Sequence, residues 1–269
     1  MSAEEIFEKA RAEGRAALVG YLPAGYPTVD GSVEMLSALV EGGCDLVEVG
    51  VPYSDPVMDG PTIQAAADIA LRGGVRLRDL FGVVERVAAA GGKAVVMTYF
   101  NPVLRYGVGA FARDLAAAGG LGVITPDLIP EEAGAWIAAT DAHGIGRVFL
   151  VAPSSTDERI ALTARASSGF VYAGAVMGVT GAREQVGSAA EALVARTRKA
   201  TDRPVCVGLG VSTGDQAAEV AGYADGVIVG SAFVWRLLEA RDLGRGVAAV
   251  RELAAELAAG VRRGAEKRV

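Results

Sequence analysis

The sequence predicts an α/β protein, a single (β/α)8 TIM barrel spanning residues 1–269. Three observations carry that prediction. Eight short Val/Ile/Leu-rich runs alternate with Ala-rich stretches of helical period along the chain. The runs are continuously apolar, the pattern of parallel strands covered on both faces. Eight βα units fit a chain of 269 residues as one closed barrel. An open doubly wound sheet is the alternative, but no GxGxxG opens the first helix.

The elements follow in order. Ser2 and Glu5 have the spacing of a capping box, and Ile6, Phe7 and Ala10 form a short stripe, so an extra helix opens the chain. The strands are ALVGYL (17–22), DLVEVGV (45–51), AVVMTYF (94–100), LGVITPD (121–127), GRVFLVA (146–152), FVYAGAV (170–176), PVCVGLG (204–210) and GVIVGSA (226–232). Helical patterns lie between them, such as VEMLSALVEGG (33–43), LRDLFGVVERVAAAGG (77–92), FARDLAAAGG (111–120) and EEAGAWIAATDAHG (131–144). These end in glycine, a common helix stop. VGSAFVW (229–235) ends the eighth strand and opens a short apolar helix. No linker, charge run or low-complexity segment divides the chain.

Composition narrows the function classes. With 51% hydrophobic residues the chain buries a large core. A net charge of −6 speaks against nucleic acid or an anionic membrane as partner, though not against a phosphorylated small molecule. Cys44 and Cys206 sit in apolar runs and read as buried free thiols. The start, MSAEEIFEKARAEG, lacks the apolar core of a signal peptide, and no run reaches the roughly 18 residues of a membrane span. A cytoplasmic location is expected. His143 is the only histidine and falls at a helix end, so neither a metal site nor a Ser/His/Asp triad is expected.

In such a barrel, chemistry sits at the C-terminal ends of the strands. Glu48 stands there, inside the apolar run VEVGV. Pointing inward, it would be desolvated and its pKa raised, which suits a group that both gives and takes a proton. Pointing outward, it would be an acid paired with a helix. Asp55 and Asp59 follow in SDPVMDGP, a loop stiffened by Pro52, Pro56 and Pro61, where Gly60 is placed to supply an unusual backbone angle. Asp before Pro or Gly is also ordinary turn chemistry. GVTG (178–181) follows the sixth strand, and GLGVS (208–212) and VGSAFVW (229–235) end the seventh and eighth, which places Gly181, Gly210, Gly230 and Ser231 at the ends of the last three strands. Glycine lets backbone N–H groups approach an anion, and a helix start favours negative charge. Each glycine taken singly also fits a plain turn. Tyr172, Tyr21 and Tyr99–Phe100 are either barrel packing or walls for an aromatic ligand.

Together these motifs resemble the α subunit family of tryptophan synthase, over nearly the whole chain. The resemblance rests on GYLPAGYP (20–27), VEVGVPYSDPVMDGPTIQ (47–64), MTYFNPVLRYG (97–107), TPDLIPEE (125–132), APSSTDERI (152–160), GVTG, GLGVS and VGSAFV. It implies retro-aldol cleavage of indole-3-glycerol phosphate to indole and glyceraldehyde 3-phosphate. Glu48 then matches the family's general acid/base, and Asp59 the carboxylate that binds the indole N–H. Tyr172 matches a lining tyrosine, and Thr180 a threonine that meets Asp59 when the loops shut. Gly181, Gly210, Gly230 and Ser231 match the phosphate cradle. Pro52 and Asp55 match a loop that touches the β subunit. No cofactor is implied in this chain. Pyridoxal phosphate is expected in the β subunit, as is an α2β2 assembly that passes indole onward. Met58, Pro23 and AGAVM (173–177) depart from the family's usual residues, which bears on loop closure.

Overall fold

The computed structural model describes residues 2–174, 183–208 and 210–264. Nine parallel strands form one sheet: β1 (Ala17–Pro23), β2 (Leu46–Gly50), β3 (Ala94–Met97), β4 (Gly122–Ile124), β5 (Gly146–Val148), β6 (Leu150–Val151), β7 (Val171–Gly174), β8 (Val205–Gly208) and β9 (Gly226–Val229). Their order is β5-β4-β3-β2-β1-β9-β8-β7-β6. The two edge strands are consecutive pieces of one run, so the sheet closes on itself as an eight-membered barrel with helices outside.

The expected fifth strand, 146–152, is therefore present but divided at Phe149. The ladder changes neighbours there. The Val148 carbonyl accepts from the Thr125 N–H at 3.2 Å on one side. The Phe149 carbonyl accepts from the Tyr172 N–H at 3.2 Å on the other. The Phe149 N–H itself turns to the Ser167 hydroxyl at 3.3 Å.

Alternation along the strands sorts two apolar layers. Val47, Val49, Val96, Val123, Val207 and Val227 face the surrounding helices. Val19, Leu46, Val95, Ile124, Phe170 and Cys206 fill the barrel interior. The opening helix, Ala3–Ala12, starts at the expected cap, with the Glu5 N–H bonded to the Ser2 hydroxyl at 3.3 Å. It lays Ile6, Phe7 and Ala10 over the N-terminal end of the barrel, where the Phe7 and Phe170 rings stand 5.2 Å apart. Burying one such ring contributes about 1.5–3 kcal/mol. Both cysteines are buried and free.

Several strands stop short of their expected ends. β3 ends at Met97, not at residue 100, because a helix, Phe100–Tyr106, begins there. The Asp127 carboxylate accepts the Phe100 N–H at 2.9 Å, capping that helix from the next loop. Pro102 falls in its first turn, where a missing N–H costs nothing. β4 ends at Ile124, which leaves 125–127 as the loop that supplies the cap. β8 ends at Gly208. β9 ends at Val229, and the expected short helix, Ser231–Leu238, follows. The loop after β2 also carries a helix, Pro61–Arg72, ahead of the expected one at Leu77–Ala89. His143 is exposed at the end of the helix Gly134–His143. Among the described residues no helix is long and apolar enough to cross a membrane.

Candidate active site

A cavity of about 510 Å³ opens at the C-terminal end of the barrel. Glu48, Asp59, Tyr172, Gly210, Gly230 and Ser231 all line it. These residues lie up to 183 positions apart in sequence, and barrel closure alone brings them together.

Glu48 reaches the cavity by alternation, in phase with inward Leu46 and out of phase with Val47 and Val49. It is 1% exposed, and its Oε1 has no hydrogen-bond partner. Burial pushes its pKa up to about 8, because the charged form has lost water without gaining a partner. The carboxyl is thus mostly protonated at neutral pH, yet near enough to its midpoint to release the proton. Its inward course excludes the outward, ion-paired alternative.

Two tyrosines flank it. Tyr21 on β1 is the strand partner of Glu48, and Tyr172 is on β7. Glycines give these rings room. A Cβ at Gly50 would collide with the Tyr21 ring, and one at Gly208 with the Tyr172 hydroxyl. Desolvation raises both phenols, so both are neutral donors at any physiological pH.

Asp59 enters from the loop between β2 and the helix Pro61–Arg72, half-buried. Desolvation raises its pKa, and a hydrogen bond from the Tyr99 hydroxyl to its Oδ1, at 3.2 Å, opposes that rise. The Gln64 side-chain amide holds the Asp59 carbonyl at 2.7 Å. The special backbone angle expected at Gly60 is not used. Its φ is −71° and a Cβ there would meet nothing within 4 Å, because Gly60 is simply the N-cap before Pro61.

A helix N-terminus and two glycines form another part of the wall. Gly230 is the N-cap of Ser231–Leu238, and the first intrahelical bond runs from the Val234 N–H to its carbonyl at 3.1 Å. The N–H groups of Ser231, Ala232 and Phe233 are left without intrahelical partners at the cavity edge. Gly210 holds φ +76°, a left-handed angle that suits glycine. No lysine or arginine is among the described residues lining the cavity.

Thr180 and Gly181 lie outside the described residues, as does most of AGAVM. Pro52 and Asp55 are not in the main cavity. Pro52 borders a separate apolar hollow of about 240 Å³ with Val51, Leu71 and Leu80. Asp55 is exposed and accepts a hydrogen bond from the Ser54 hydroxyl. The structure adds Met97, Ile63 and Ile228 to the lining, along with Met58 at the mouth. The inward phase of β3 and β9 carried a signal for Met97 and Ile228. Nothing local marked Ile63, which arrives on a helix.

The site's neighbours in sequence and structure agree. A family model described as tryptophan synthase alpha chain matches residues 7–262. The tryptophan synthase alpha chain of Mycobacterium avium (strain 104) is 65% identical over 96% of this chain and 93% of its own length. That of Nocardia farcinica is 66% identical over 95% and 94%. A solved structure of Mycobacterium tuberculosis tryptophan synthase is 62% identical, covers 97% of this chain and 98% of its own, and superposes with a TM-score of 0.89. With the match running through β1 to the last helix and taking in every residue of the cavity, the chain belongs to the tryptophan synthase alpha chain family.

Proposed function

We propose that this cavity performs the family's carbon–carbon cleavage, with Glu48 as acid and base and Asp59 as the partner of the indole nitrogen. The substrate is indole-3-glycerol phosphate, and the products are indole and glyceraldehyde 3-phosphate. The observation that carries this is Glu48, buried inside the barrel with Oε1 unpartnered, in one cavity with a second carboxyl and a helix N-terminus.

The bond from indole C3 to the glycerol chain breaks only after C3 takes a proton. Glu48, protonated at neutral pH, gives it. The positive charge spreads to the ring nitrogen, where the Asp59 carboxylate offsets it. Glu48, now ionised and poorly solvated, takes the proton of the side-chain hydroxyl. The C–C electrons return to the ring, the aldehyde forms, and Glu48 is again protonated. One proton moves from oxygen to carbon and nothing is oxidised. A pKa near 8 serves both halves.

The phosphate is received by the N–H groups of Ser231 and its successors, with Gly210, Gly230 and Gly181 allowing close approach. Backbone donors and the helix dipole supply the attraction, since no cationic side chain is among the described lining residues. Tyr172 lines the indole end. Thr180 meets Asp59 when the loops shut. Residues 1–269 act as one domain in the cytoplasm. A β subunit holding pyridoxal phosphate docks over the C-terminal face in an α2β2 complex, touches Pro52 and Asp55, and receives the indole.

The test is indole release from indole-3-glycerol phosphate by Glu48→Gln. The amide keeps the shape but moves no proton, so the rate should fall at least about 100-fold, the usual range of acid–base catalysis. Retention of more than about a tenth of the wild-type rate rejects the role.

A further inference from the structure

We propose that Tyr99 is the positioning residue of Asp59, setting through its hydroxyl where the carboxylate meets the substrate. The proposal rests on the reading of Asp59 given above. It begins from the direction of two hydrogen bonds. The Tyr99 hydroxyl accepts the Met58 N–H at 2.9 Å and donates its own proton to Asp59 Oδ1 at 3.2 Å. One oxygen therefore holds both the backbone just before Asp59 and the side chain itself. The phenol has one proton, so accepting from Met58 orients that proton toward Asp59.

The anchor is buried, whereas the loop that carries Asp59 is largely exposed. Tyr99 is 5% exposed and stands two residues beyond the end of β3, as the N-cap of the helix Phe100–Tyr106. Its carbonyl accepts from the Thr98 hydroxyl at 2.9 Å, and the Thr98 N–H is tied to the Ile124 carbonyl at 3.0 Å. On its other side the helix Phe100–Tyr106 is capped by Asp127. Asp59, by contrast, ends an irregular loop whose outer part is exposed at Ser54, Asp55, Val57 and Met58. A carboxylate on such a loop has many positions open to it. A hydroxyl fixed to the barrel removes most of them, which is how a charged group becomes oriented before reaction.

The ring adds a link outward. Tyr99 packs against Tyr53 with centroids 5.2 Å apart, and the Tyr53 hydroxyl accepts from the Asn101 amide at 3.0 Å. Tyr53 neighbours Pro52 and Ser54 on the face assigned to the β subunit. The same tyrosine thus joins the outer loop to the carboxylate. Tyr99 also favours the charged form of Asp59, since its hydrogen bond opposes the rise that burial causes.

The experiment is steady-state indole release by Tyr99→Phe, Asp59→Asn and the double variant, each across pH. Phenylalanine keeps the ring and its packing and removes one oxygen. We expect kcat to fall roughly tenfold with KM within about threefold. The acidic limb of the kcat profile should move to higher pH, because the carboxylate has lost a donor. Tyr99→Phe should cost nothing further in the Asp59→Asn background, the signature of one residue acting through another. Tyr53→Phe, which removes a hydroxyl that does not touch Asp59, should keep kcat within twofold. An unchanged kcat and acidic limb in Tyr99→Phe overturns the proposal, as does a loss that simply adds to that of Asp59→Asn. If Asp59→Asn itself keeps full activity, the reading of Asp59 fails and this one with it. A large loss in Asp59→Asn beside a silent Tyr99→Phe sinks the positioning role alone.

Discussion

The two ends of the barrel are built from the same strands and the same alternation, yet they are opposite in character. At the N-terminal end, inward positions are Val19, Leu46, Phe170 and Cys206, sealed by Phe7 of the opening helix. Two residues further along the same strands stand Tyr21, Glu48, Tyr172 and Gly208, around an open cavity. A step of one strand period separates a dry core from a pocket with a buried, unpartnered carboxyl. The lower end stabilises the fold, and the upper end holds a buried carboxyl that costs stability at the place where the proposed chemistry would occur.

The largest expected effect breaks the lower end. Phe7→Ala removes the ring packed on Phe170 and should cost about 3–5 kcal/mol, read as a shift of the denaturation midpoint. Activity per folded molecule should stay near wild type. A loss of activity without loss of stability contradicts the division of labour between the ends.

The upper end should show the reverse. Burial raises the Glu48 pKa from an ordinary carboxyl value to about 8 in the folded chain. Its contribution to stability is therefore complete below the unfolded pKa and is lost as pH rises through the folded one. Between these limits the folded state binds one more proton than the unfolded, a slope of about −1.4 kcal/mol per pH unit. Glu48→Gln removes that slope. Its stability relative to wild type should rise by roughly 2–3 kcal/mol between pH 5.5 and 7.5, measured by chemical denaturation. A difference that is flat with pH means the carboxyl is not held protonated.

The smallest expected effect concerns control of the upper end from outside. A β subunit that favours closed loops shifts their population and need not enter the cavity. Adding a cognate β subunit should raise the cleavage rate about tenfold or more, roughly 1.4 kcal/mol in the barrier. Asp55→Ala, on the exposed part of the loop, should weaken this rise more than it weakens the basal rate. By reciprocity, ligand in the cavity should tighten the complex. Titration with β subunit that forms a complex and leaves the rate unchanged removes the coupling.

Much of the upper end was legible in the sequence because it follows from local rules. The alternation of Glu48 with Val47 and Val49 is written in the sequence, but it left inward and outward courses both open until the helix-facing valines fixed its side. Ser231 begins a helix at the end of a strand, so its free N–H groups follow from position alone. The motifs taken together, the long stretch 47–64 most specific among them, pointed to the family to which the chain belongs.

What the sequence determined by itself was thus the period of each element, the order of strands and helices, and the residue types waiting at strand ends. Only the tertiary structure decided which of those residues meet. The Tyr99 hydroxyl finds Asp59 across 40 positions, and nothing near either residue announces the other. Gly60 could have supplied an unusual angle and is an ordinary N-cap at φ −71°, with Pro61 opening the helix after it. The fifth strand divides at Phe149 because the barrel must close between neighbours on two sides. The physical reason is common to all three. Backbone preference and period act over a few residues, whereas closure of the barrel brings distant strand ends together and chooses their partners.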